Sequence, residues 1–379
     1  MTEKLYYQDS FLQTFTATVE ACVQGKNGWE ITLNRTAFYP EGGGQPADHG
    51  TLDGVSVIDT RKQGETVLHI CDSPLPEGKE VIGKIDFDRR FLLMQLHSGE
   101  HIVSGLLCRR FHCDNVGFHI GQDAVTIDFN TQLTSEDLAW LEHTANRYIW
   151  ENHPIAITYP TAEELAVLPY RSKKTLTGQV RIVTWPGADC CACCGTHLTH
   201  SGQVGLVKLL SCQKFREGVR IEMVVGSMAL RYLSAVWEQN GQISHLLSAK
   251  PQETAAAVKR LQQELYRLQG RVNQLEEADF AAKAAAHANK GDVFLIETPL
   301  SPESLRKLCN AVQVACGGRC AVFAGENDRY QYAIGQPEGD LRPLAKKINA
   351  TLRGKGGGKP DFVQGSVQAT EAEIKQFFA

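Results

Sequence analysis

The chain has 379 residues, a formal net charge of −4 at pH 7 and 42% hydrophobic residues. This length is too great for one compact core and predicts two or three domains, while the hydrophobic content is that of an ordinary globular protein. No run of about 18 uninterrupted apolar residues occurs, which argues against a membrane span or a membrane partner. The net charge excludes wholesale coating of nucleic acid but permits a local basic surface.

The cysteines indicate the redox compartment. Twelve occur, and four of them crowd into CCACC (190–194), where neighbours cannot bridge each other without strain. Reduced thiols and a metal site fit this pattern better than disulfides. The segment MTEKLYYQDSFLQ, at the start of the chain, has polar residues where a signal peptide needs an apolar core. We therefore expect a cytoplasmic protein.

Residues 1–88 predict a small β-barrel or curled sheet. Apolar and polar residues alternate in FTATVEACV (15–23), and Asn27-Gly28 and Asp53-Gly54 provide tight turns between short strands. Closure into a barrel protects the edges of such strands. We expect an N-terminal barrel-like domain here.

Residues 89–245 predict a domain of the α+β class. The segment RRFLLMQLHSGEHIVSGLLCRRF, which starts at Arg89, is rich in helix formers and long enough for about six turns. A second helix follows from Thr134, with Asp137 completing a capping arrangement. Strands return at 125–129 and within 205–225. Helices segregated from antiparallel strands define the α+β class.

Residues 250–290 predict one long helix with a heptad repeat. Its apolar residues recur at steps of three and four, at Val258, Leu261, Leu265, Leu268, Val272 and Leu275. The helix is either a spacer or the stalk of a homodimer formed through 253–288. Residues 291–379 then alternate strand, helix (capped by Ser301, with Pro302 at the first helical position) and strand, which predicts an α/β domain containing the glycine-rich GKGGGKPD. The fold class expected for the whole chain is multidomain α+β.

Two short motifs carry candidate metal ligands. HSGEH places His97 and His101 four residues apart in the predicted helix, so that both imidazoles lie on one face. CCGTH contains Cys193 and His197 around a glycine turn. Three imidazoles and a thiolate complete a tetrahedron, and they are softer ligands than magnesium or calcium prefers. The motifs predict one zinc ion per chain.

Other interpretations of these motifs stay open. HSGEH also matches the inverted zinc-protease motif H-x-x-E-H, in which Glu100 is the general base, but this leaves Cys193 and His197 without a role. A closed structural zinc site is an alternative, although such sites use two separated pairs of ligands. Its ligands would be Cys190, Cys191, Cys193 and Cys194. A packing role alone is the remaining interpretation.

The motifs together resemble the editing domain of alanyl-tRNA synthetase and its free-standing relatives, the AlaX proteins. That family carries HxxxH and, far downstream, CxxxH, together with an upstream glycine-rich motif matched here by RTAFYPEGGGQPADHG (35–50). The tail GKGGGKPDFVQG resembles the C-terminal domain of the same synthetases, a module shared with DHH phosphoesterases. The resemblance covers nearly the whole chain, in the order of the long AlaX form. Neither an aminoacylation domain nor a DHH motif accompanies it, so we expect neither tRNA charging nor nuclease activity.

The resemblance implies a hydrolase that removes serine, and as a second candidate glycine, from tRNA for alanine by cleaving the ester to the terminal ribose. It assigns the zinc to His97, His101, Cys193 and His197, and it assigns Thr36 to the serine hydroxyl. A pocket sized for serine cannot exclude alanine by volume, so alanine must be rejected through an unmet hydrogen bond. Gly43 and Gly44 let backbone amides approach the substrate, and Gln45 is a candidate for orienting it. The non-enzymatic alternative is a tRNA-binding or assembly protein with a structural zinc.

Contacts to tRNA phosphates are expected from a basic run, because residues 341–360 hold six Lys or Arg and no Asp or Glu. These six are Arg342, Lys346, Lys347, Arg353, Lys355 and Lys359. The glycine amides at 356–358 supplement them as an anion-binding nest. Arg171, Lys173 and Lys174 form a second, weaker basic patch. Tyr330 and Tyr332 either stack on exposed bases or pack in a strand, and packing is favoured.

Overall fold

The computed structural model describes residues 1–172 and 178–379, in two compact units, Met1–Gln242 and Ile243–Ala379. Both units combine helices with sheets, which confirms the predicted mixed, multidomain architecture. All twelve cysteines fall in the described ranges and are free thiols. Among the described residues, no helix is both long enough and apolar enough to cross a membrane.

The first unit begins with eight strands, six of which close into a barrel in the order β2-β3-β7-β6-β5-β8. The eight are β1 Glu3–Lys4, β2 Thr14–Gly25, β3 Gly28–Leu33, β4 Arg35–Thr36, β5 Gly50–Leu52, β6 Val55–Gln63, β7 Thr66–Cys71 and β8 Glu80–Ile85. The alternating residues Phe15, Ala17 and Val19 of β2 are buried. Neighbouring barrel strands are antiparallel all the way round.

Two hairpin turns are predicted in this region, at Asn27-Gly28 and at Asp53-Gly54. Asp53-Gly54 joins β5 to β6 as predicted, and both residues have the positive φ that this turn requires. The turn between β2 and β3 is Lys26-Asn27, one residue earlier than predicted, because Gly25 pairs with Gly28. Gly28 extends the ladder into β3, so the glycine marks the start of a strand there.

The rest of the first unit surrounds one long, mostly buried helix, α1. Its elements are α1 Phe87–Phe111, β9 Asn115–Ile120, β10 Val125–Phe129, α2 Ser135–Trp150, β11 Ala156–Thr158, α3 Ala162–Val167, β12 Ile182–Trp185, β13 Asp189–Ala192, β14 Val207–Phe215, β15 Gly218–Val225 and α4 Gly226–Leu246. The strands form two sheets, ordered β14-β15-β10-β9 and β11-β12-β13. The predicted capping arrangement of Thr134 and Asp137 is present at the start of α2.

A buried ion pair ties the glycine-rich loop, residues 39–48, to the start of α1. The side chains of Arg90 and Asp48 are both fully buried and form a salt bridge. Arg90 also donates to the carbonyl oxygen of Ala37 at 2.6 Å, and the backbone N–H of Tyr39 donates to Asp48 Oδ2 at 2.6 Å. Each buried charge therefore has partners, as a buried ion pair requires. The pair fixes the loop relative to the helix that carries HSGEH.

The second unit is a five-stranded sheet with helices, ordered β16-β17-β18-β20-β19. Its elements are α5 Thr254–Ala286, β16 Gly291–Glu297, α6 Pro302–Cys316, β17 Gly317–Glu326, β18 Arg329–Gly335, α7 Arg342–Thr351, β19 Lys355–Gly358, β20 Phe362–Gln368 and α8 Glu371–Phe378. The predicted cap is present, with the Ser301 side chain accepting from Ser304 N and Pro302 opening α6. Tyr330 and Tyr332 are buried in the core, which confirms packing.

The heptad positions of α5 face solvent in the single chain. The six apolar residues predicted to form the seam are 40–58% exposed. Phe280, nearer the end of α5, is instead buried in the core that lies against α6. Most of the apolar row of α5 thus has no partner among the described residues of this chain.

His69 and Thr36 form a buried pair in the barrel. Thr36 Oγ1 lies 2.7 Å from His69 Nε2, and His69 Nδ1 lies 3.0 Å from the carbonyl oxygen of Ile31. That carbonyl can only accept, so we infer that Nδ1 carries the hydrogen and that the Thr36 hydroxyl donates to Nε2. Burial lowers the pKa of His69 to about 4. The folded barrel therefore holds a neutral imidazole.

We predict that His69 makes the protein less stable in acid. The unfolded chain protonates His69 below about pH 6.5 whereas the folded chain does so only near pH 4, so the free energy of unfolding should fall by about 2 kcal/mol between pH 7 and 4.5. Urea unfolding of the wild type and His69→Gln, both with chelator to remove metal effects, measures this contribution. An identical pH dependence in the two proteins would contradict the prediction.

Candidate metal centre

Helix α1 and the loop after β13 bring the two metal motifs together. His97 and His101 lie one turn apart on α1, and both are buried. Cys193 and His197 follow β13, where His197 is buried and Cys193 is partly exposed. One ligand atom from each of the four residues lies within 4.8 Å of the others. The structure therefore assembles the predicted set from segments 96 residues apart.

The inner nitrogens of the three imidazoles face the Cys193 sulfur. Cys193 Sγ lies 3.5 Å from His97 Nε2 and 3.2 Å from His197 Nε2. His101 Nε2 is buried and has no hydrogen-bond partner in the described structure. A buried nitrogen without a partner is costly, and a metal ion at this point would satisfy it. Four donor atoms thus converge on one location.

The outer nitrogens of the same imidazoles are held by hydrogen bonds. His97 Nδ1 lies 2.9 Å from Gln45 Oε1, and His101 Nδ1 lies 2.9 Å from Asp189 Oδ2. His197 Nδ1 makes a longer contact of 3.4 Å to Ser98 Oγ. Metal-binding histidines typically donate their second N–H in this way, which orients the ring and directs the free lone pair inward.

Aromatic rings fix the planes of the imidazoles. Trp185 is fully buried and stacks on His101, with ring centroids 4.2 Å apart and planes at 16°. Phe118 stacks on His97 at 5.3 Å. These rings also make the surroundings of the cluster apolar, which strengthens electrostatic interactions within it.

The buried side chains of the cluster shift one another's pKa values. Burial raises the pKa of the Cys193 thiol, but the positive potential of His97, His197 and His101 outweighs it and holds the pKa well below the usual value. Burial lowers the pKa of His197 to about 3. Burial also opposes charge on His101, yet Glu100 and the Cys193 thiolate hold its pKa well above the usual value. These shifts favour a thiolate at Cys193, the form in which a cysteine binds a metal.

The residues present fit a zinc ion. Three imidazole nitrogens and one thiolate are a donor set that zinc favours and that magnesium and calcium do not. The partnerless nitrogen of His101 and the outward hydrogen bonds are independent signs that the rings are oriented for a metal.

The cysteines of CCACC do not gather into a four-cysteine site. Cys193 alone of them joins the histidine cluster, whereas Cys194 is exposed and Cys190 accepts a 3.6 Å contact from Thr184 Oγ1. Cys191 lies near His101 and Asp189, but Asp189 is already bound to His101 and Arg171. The protease interpretation also lacks support, since no carboxylate belongs to the four-residue cluster among the described residues.

A cleft of about 450 Å³ opens beside the cluster. Gly43 and Gly44 of the glycine-rich loop line it. Gly44 has φ +84°, and a side chain there would collide with the Phe118 ring at 2.5 Å, so only glycine fits. The other lining residues are His97, Glu100, His101, Gly117, Phe118, Arg171, Ser172, Cys191, Ala192, Cys193 and Cys194.

Two segments of the first unit, one at its start and one near its end, match known families of tRNA synthetase domains. Residues 2–89 match the family model described as tRNA synthetases class II (A), and residues 180–222 match that of the threonyl and alanyl tRNA synthetase second additional domain. An alanyl-tRNA editing protein of Danio rerio is 27% identical, covering 96% of this chain and 93% of its own length. This chain is similar to alanyl-tRNA editing proteins over nearly its full length.

The chain is also similar to much longer enzymes. An alanine–tRNA ligase of Pyrobaculum neutrophilum is 30% identical over 99% of this chain, but the chain spans only 44% of that ligase. Among solved structures, the C-Ala domain of Aquifex aeolicus alanyl-tRNA synthetase matches 23% of this chain and 86% of its own length, with 19% identity. Its TM-score of 0.21 is too low to support an inference.

Gln45, predicted to orient the substrate, lies behind His97 and outside the cleft. It is fully buried, and its Oε1 contacts both His97 Nδ1 and the backbone N–H of Thr196. Its Nε2 donates to Thr196 Oγ1 at 2.7 Å. The polar atoms of its side chain are engaged, so Gln45 orients the His97 ring rather than facing the cleft.

Thr36 is not brought to the cleft. It is fully buried, its hydroxyl is bound to His69, and it also accepts from the backbone N–H of Phe38 at 3.1 Å. Thr36 belongs to β4, which pairs with β1, and the pairing of β3 with β7 sets its partner His69 beside Ile31. The contact to a serine hydroxyl stays a prediction that this arrangement does not provide.

The six basic residues of the run at 341–360 differ in whether a nearby carboxylate neutralises their charge. Arg342 pairs with Asp340 and Arg353 with Glu373, carboxylates that flank the run in space although they lie outside it in sequence. Lys347 lies 5.3 Å from the Phe377 ring. Within the described residues, Lys346, Lys347, Lys355 and Lys359 make no salt bridge. Four of the six predicted phosphate contacts thus keep an uncompensated charge.

Asp189 is the functional residue that the sequence analysis missed. It accepts from His101 and, through both carboxylate oxygens, from Arg171 at 2.7 and 2.6 Å. Arg171 is therefore a partner of the centre, which corrects its assignment to a basic patch. Lys173 and Lys174, the rest of that patch, lie outside the described residues. An acidic residue directly before CCACC was the only available signal for Asp189.

We predict that Cys193→Ala lowers the zinc content well below the one ion per chain expected for the wild type, because it removes the only sulfur ligand. Elemental analysis of purified protein measures the content. Cys190→Ala is the matched control, since this neighbouring thiol lies outside the cluster and its loss should leave zinc in place. Equal zinc in the wild type and Cys193→Ala would remove Cys193 from the site.

We also predict that Thr36→Val destabilises the barrel. It deletes a hydroxyl that serves both His69 and Phe38, so the free energy of unfolding should fall by about 1–3 kcal/mol. Chemical denaturation measures the change, and Thr36→Ser, which keeps the hydroxyl, is the control. Unchanged stability together with a lower ratio of serine to alanine release would instead support direct selection of serine by Thr36.

Proposed function

We propose that this chain is a zinc-dependent hydrolase that deacylates tRNA(Ala) carrying serine, with glycine as a second amino acid removed. One observation carries the proposal: three imidazoles and a thiolate converge beside a cleft whose wall is the glycine-rich loop. The relationship to alanyl-tRNA editing proteins over nearly the full chain supports this substrate class.

The reaction is hydrolysis of the ester between the amino acid and the terminal ribose. Water adds to the ester carbonyl, the bond from that carbon to the ribose oxygen breaks, and the ribose oxygen takes up a proton from the water to become a hydroxyl. Zinc held by His97, His101, Cys193 and His197 would supply a Lewis acid next to the cleft. Asp189 and Gln45 keep two of the imidazoles aligned. The glycine-rich loop lets a substrate approach the backbone where a side chain would block it.

The second unit supplies affinity for the body of the tRNA. Lys346, Lys347, Lys355 and Lys359 provide charge for phosphates, and the glycine strand β19 is exposed beside them. The exposed heptad row of α5 is the surface through which two chains form a homodimer. The first unit thus cleaves the ester, while the second provides reach and binding.

A deacylation assay tests the proposed function. The full chain is incubated with tRNA(Ala) charged with serine, glycine or alanine, with and without chelator. Rapid release of serine, slower release of alanine, and loss of activity on zinc removal are the expected results. Hydrolysis of none of the three esters by zinc-loaded protein would refute the proposal, and binding of tRNA without hydrolysis would favour a binding protein.

We predict that a chain ending after Leu246 retains zinc and cleaves the ester at high substrate concentration, because all four ligands lie in the first unit. Its affinity for tRNA should fall, and the slope of log affinity against log salt should flatten by about 0.7–0.9 for each lost phosphate contact. Light scattering should show a monomer. Unchanged affinity and salt slope in the truncated chain would overturn this division of roles.

A further inference from the structure

The carboxylate of Glu100 lies in the wall of the cleft beside the metal ligands. Its side chain is only 3% exposed. One oxygen, Oε1, accepts from Ser104 Oγ at 2.8 Å and from Asn115 Nδ2. The other, Oε2, accepts no hydrogen bond from the described residues and lies 3.9 Å from His101 Nε2. One oxygen of the Glu100 carboxylate is therefore held by the fold, and the other is available to bind a ligand.

Among the described residues, the ion pair of Glu100 is with His101, whose Nε2 faces the candidate metal centre. In the described part of the chain, no Lys or Arg forms a salt bridge with it. Arg171, which also lines the cleft, is bound through two hydrogen bonds to Asp189. A buried carboxylate is costly unless a cation pairs with it. The cleft thus offers an acceptor for a positively charged group.

The committed oxygen also makes the available one rigid. Ser104 belongs to the same helix as Glu100, one turn further on, whereas Asn115 belongs to β9. Two elements therefore hold the carboxylate, and Gly117 and Phe118 of the same strand line the cleft next to it. An acceptor fixed in this way loses little conformational entropy when it binds.

We propose that Glu100 Oε2 binds the α-ammonium group of the aminoacyl ester and so selects substrates with a free amino group. This inference rests on the proposed function, because the ammonium group is the cation nearest the ester that such a substrate carries. An α-amino group, with an ordinary pKa of about 7.7–8.0, is largely charged at neutral pH. N-acylated esters, which lack that charge, are excluded as good substrates.

Two non-hydrolysable ligands test the assignment. Serine and glyceric acid, in which a hydroxyl replaces the α-amino group at nearly the same size, are each linked as amides to 3′-amino-3′-deoxyadenosine. Calorimetry on the full, zinc-loaded chain at neutral pH measures both affinities. The wild type should bind the serine amide about tenfold more tightly or better, as expected for a charge-assisted hydrogen bond.

Glu100→Gln should remove this preference while keeping zinc and the bonds to Ser104 and Asn115, because the amide oxygen replaces Oε1. Glu222→Gln is the matched control, since Glu222 also accepts from a serine hydroxyl, Ser211 Oγ at 2.8 Å, but does not line the cleft. It should leave the preference unchanged.

Equal affinity of the wild type for the two amides would overturn the proposal without reference to any variant. A preference that survives in Glu100→Gln would also overturn it, and loss of zinc in that variant would then assign Glu100 to charge balance at the metal. If the chain hydrolyses no aminoacyl-tRNA but still prefers the serine amide in a Glu100-dependent way, the proposed function fails and the ammonium site stands.

Discussion

Hydrogen bonds to the outer nitrogens of three buried imidazoles determine the geometry of the whole centre. Each ring has its Nδ1 occupied, by Gln45, Asp189 or Ser98, and therefore presents Nε2 to the Cys193 sulfur. The partners come from the glycine-rich loop, from β13 and from α1, so the centre forms only when barrel, helix and sheet are assembled. The buried pair of Arg90 and Asp48 joins the loop to the helix. Binding of a metal at this cluster would therefore be coupled to folding through these contacts.

What could be predicted from the sequence was local. The spacing of His97 and His101 fixes their relative direction on a helix, and the caps of α2 and α6 follow from adjacent residues. The role of Asp189 could not be predicted, because its carboxylate contacts His101 only once the folded chain has placed α1 beside it. Thr36 illustrates the same limit, since its hydroxyl contacts His69, which lies 33 residues away in the sequence. Family resemblance identified the ligand set, while tertiary packing decided which neighbours serve it.

The two units differ in whether their candidate functional groups are buried or exposed. The first buries its chemistry, and among its described residues the buried polar atoms without a hydrogen-bond partner are His101 Nε2, Tyr148 Oη, Arg181 Nε and Trp185 Nε1. The second exposes its useful groups, namely uncompensated lysines and an apolar row on α5. Carboxylates from outside the basic run neutralise two of its arginines, so charge counted along the sequence overstates the charge available to phosphates. The affinity for tRNA should depend on the four lysines without salt bridges and on the covalent connection between the two units.

X-ray absorption at the zinc edge of the purified full chain tests the central claim, the composition of the metal centre. Three imidazole nitrogens and one thiolate predict a shell of three light atoms at about 2.0–2.1 Å and one sulfur at about 2.3 Å. The Cys193 sulfur is the only thiolate in the four-residue cluster. A shell with two or more sulfurs, or with none, would contradict the ligand set described here.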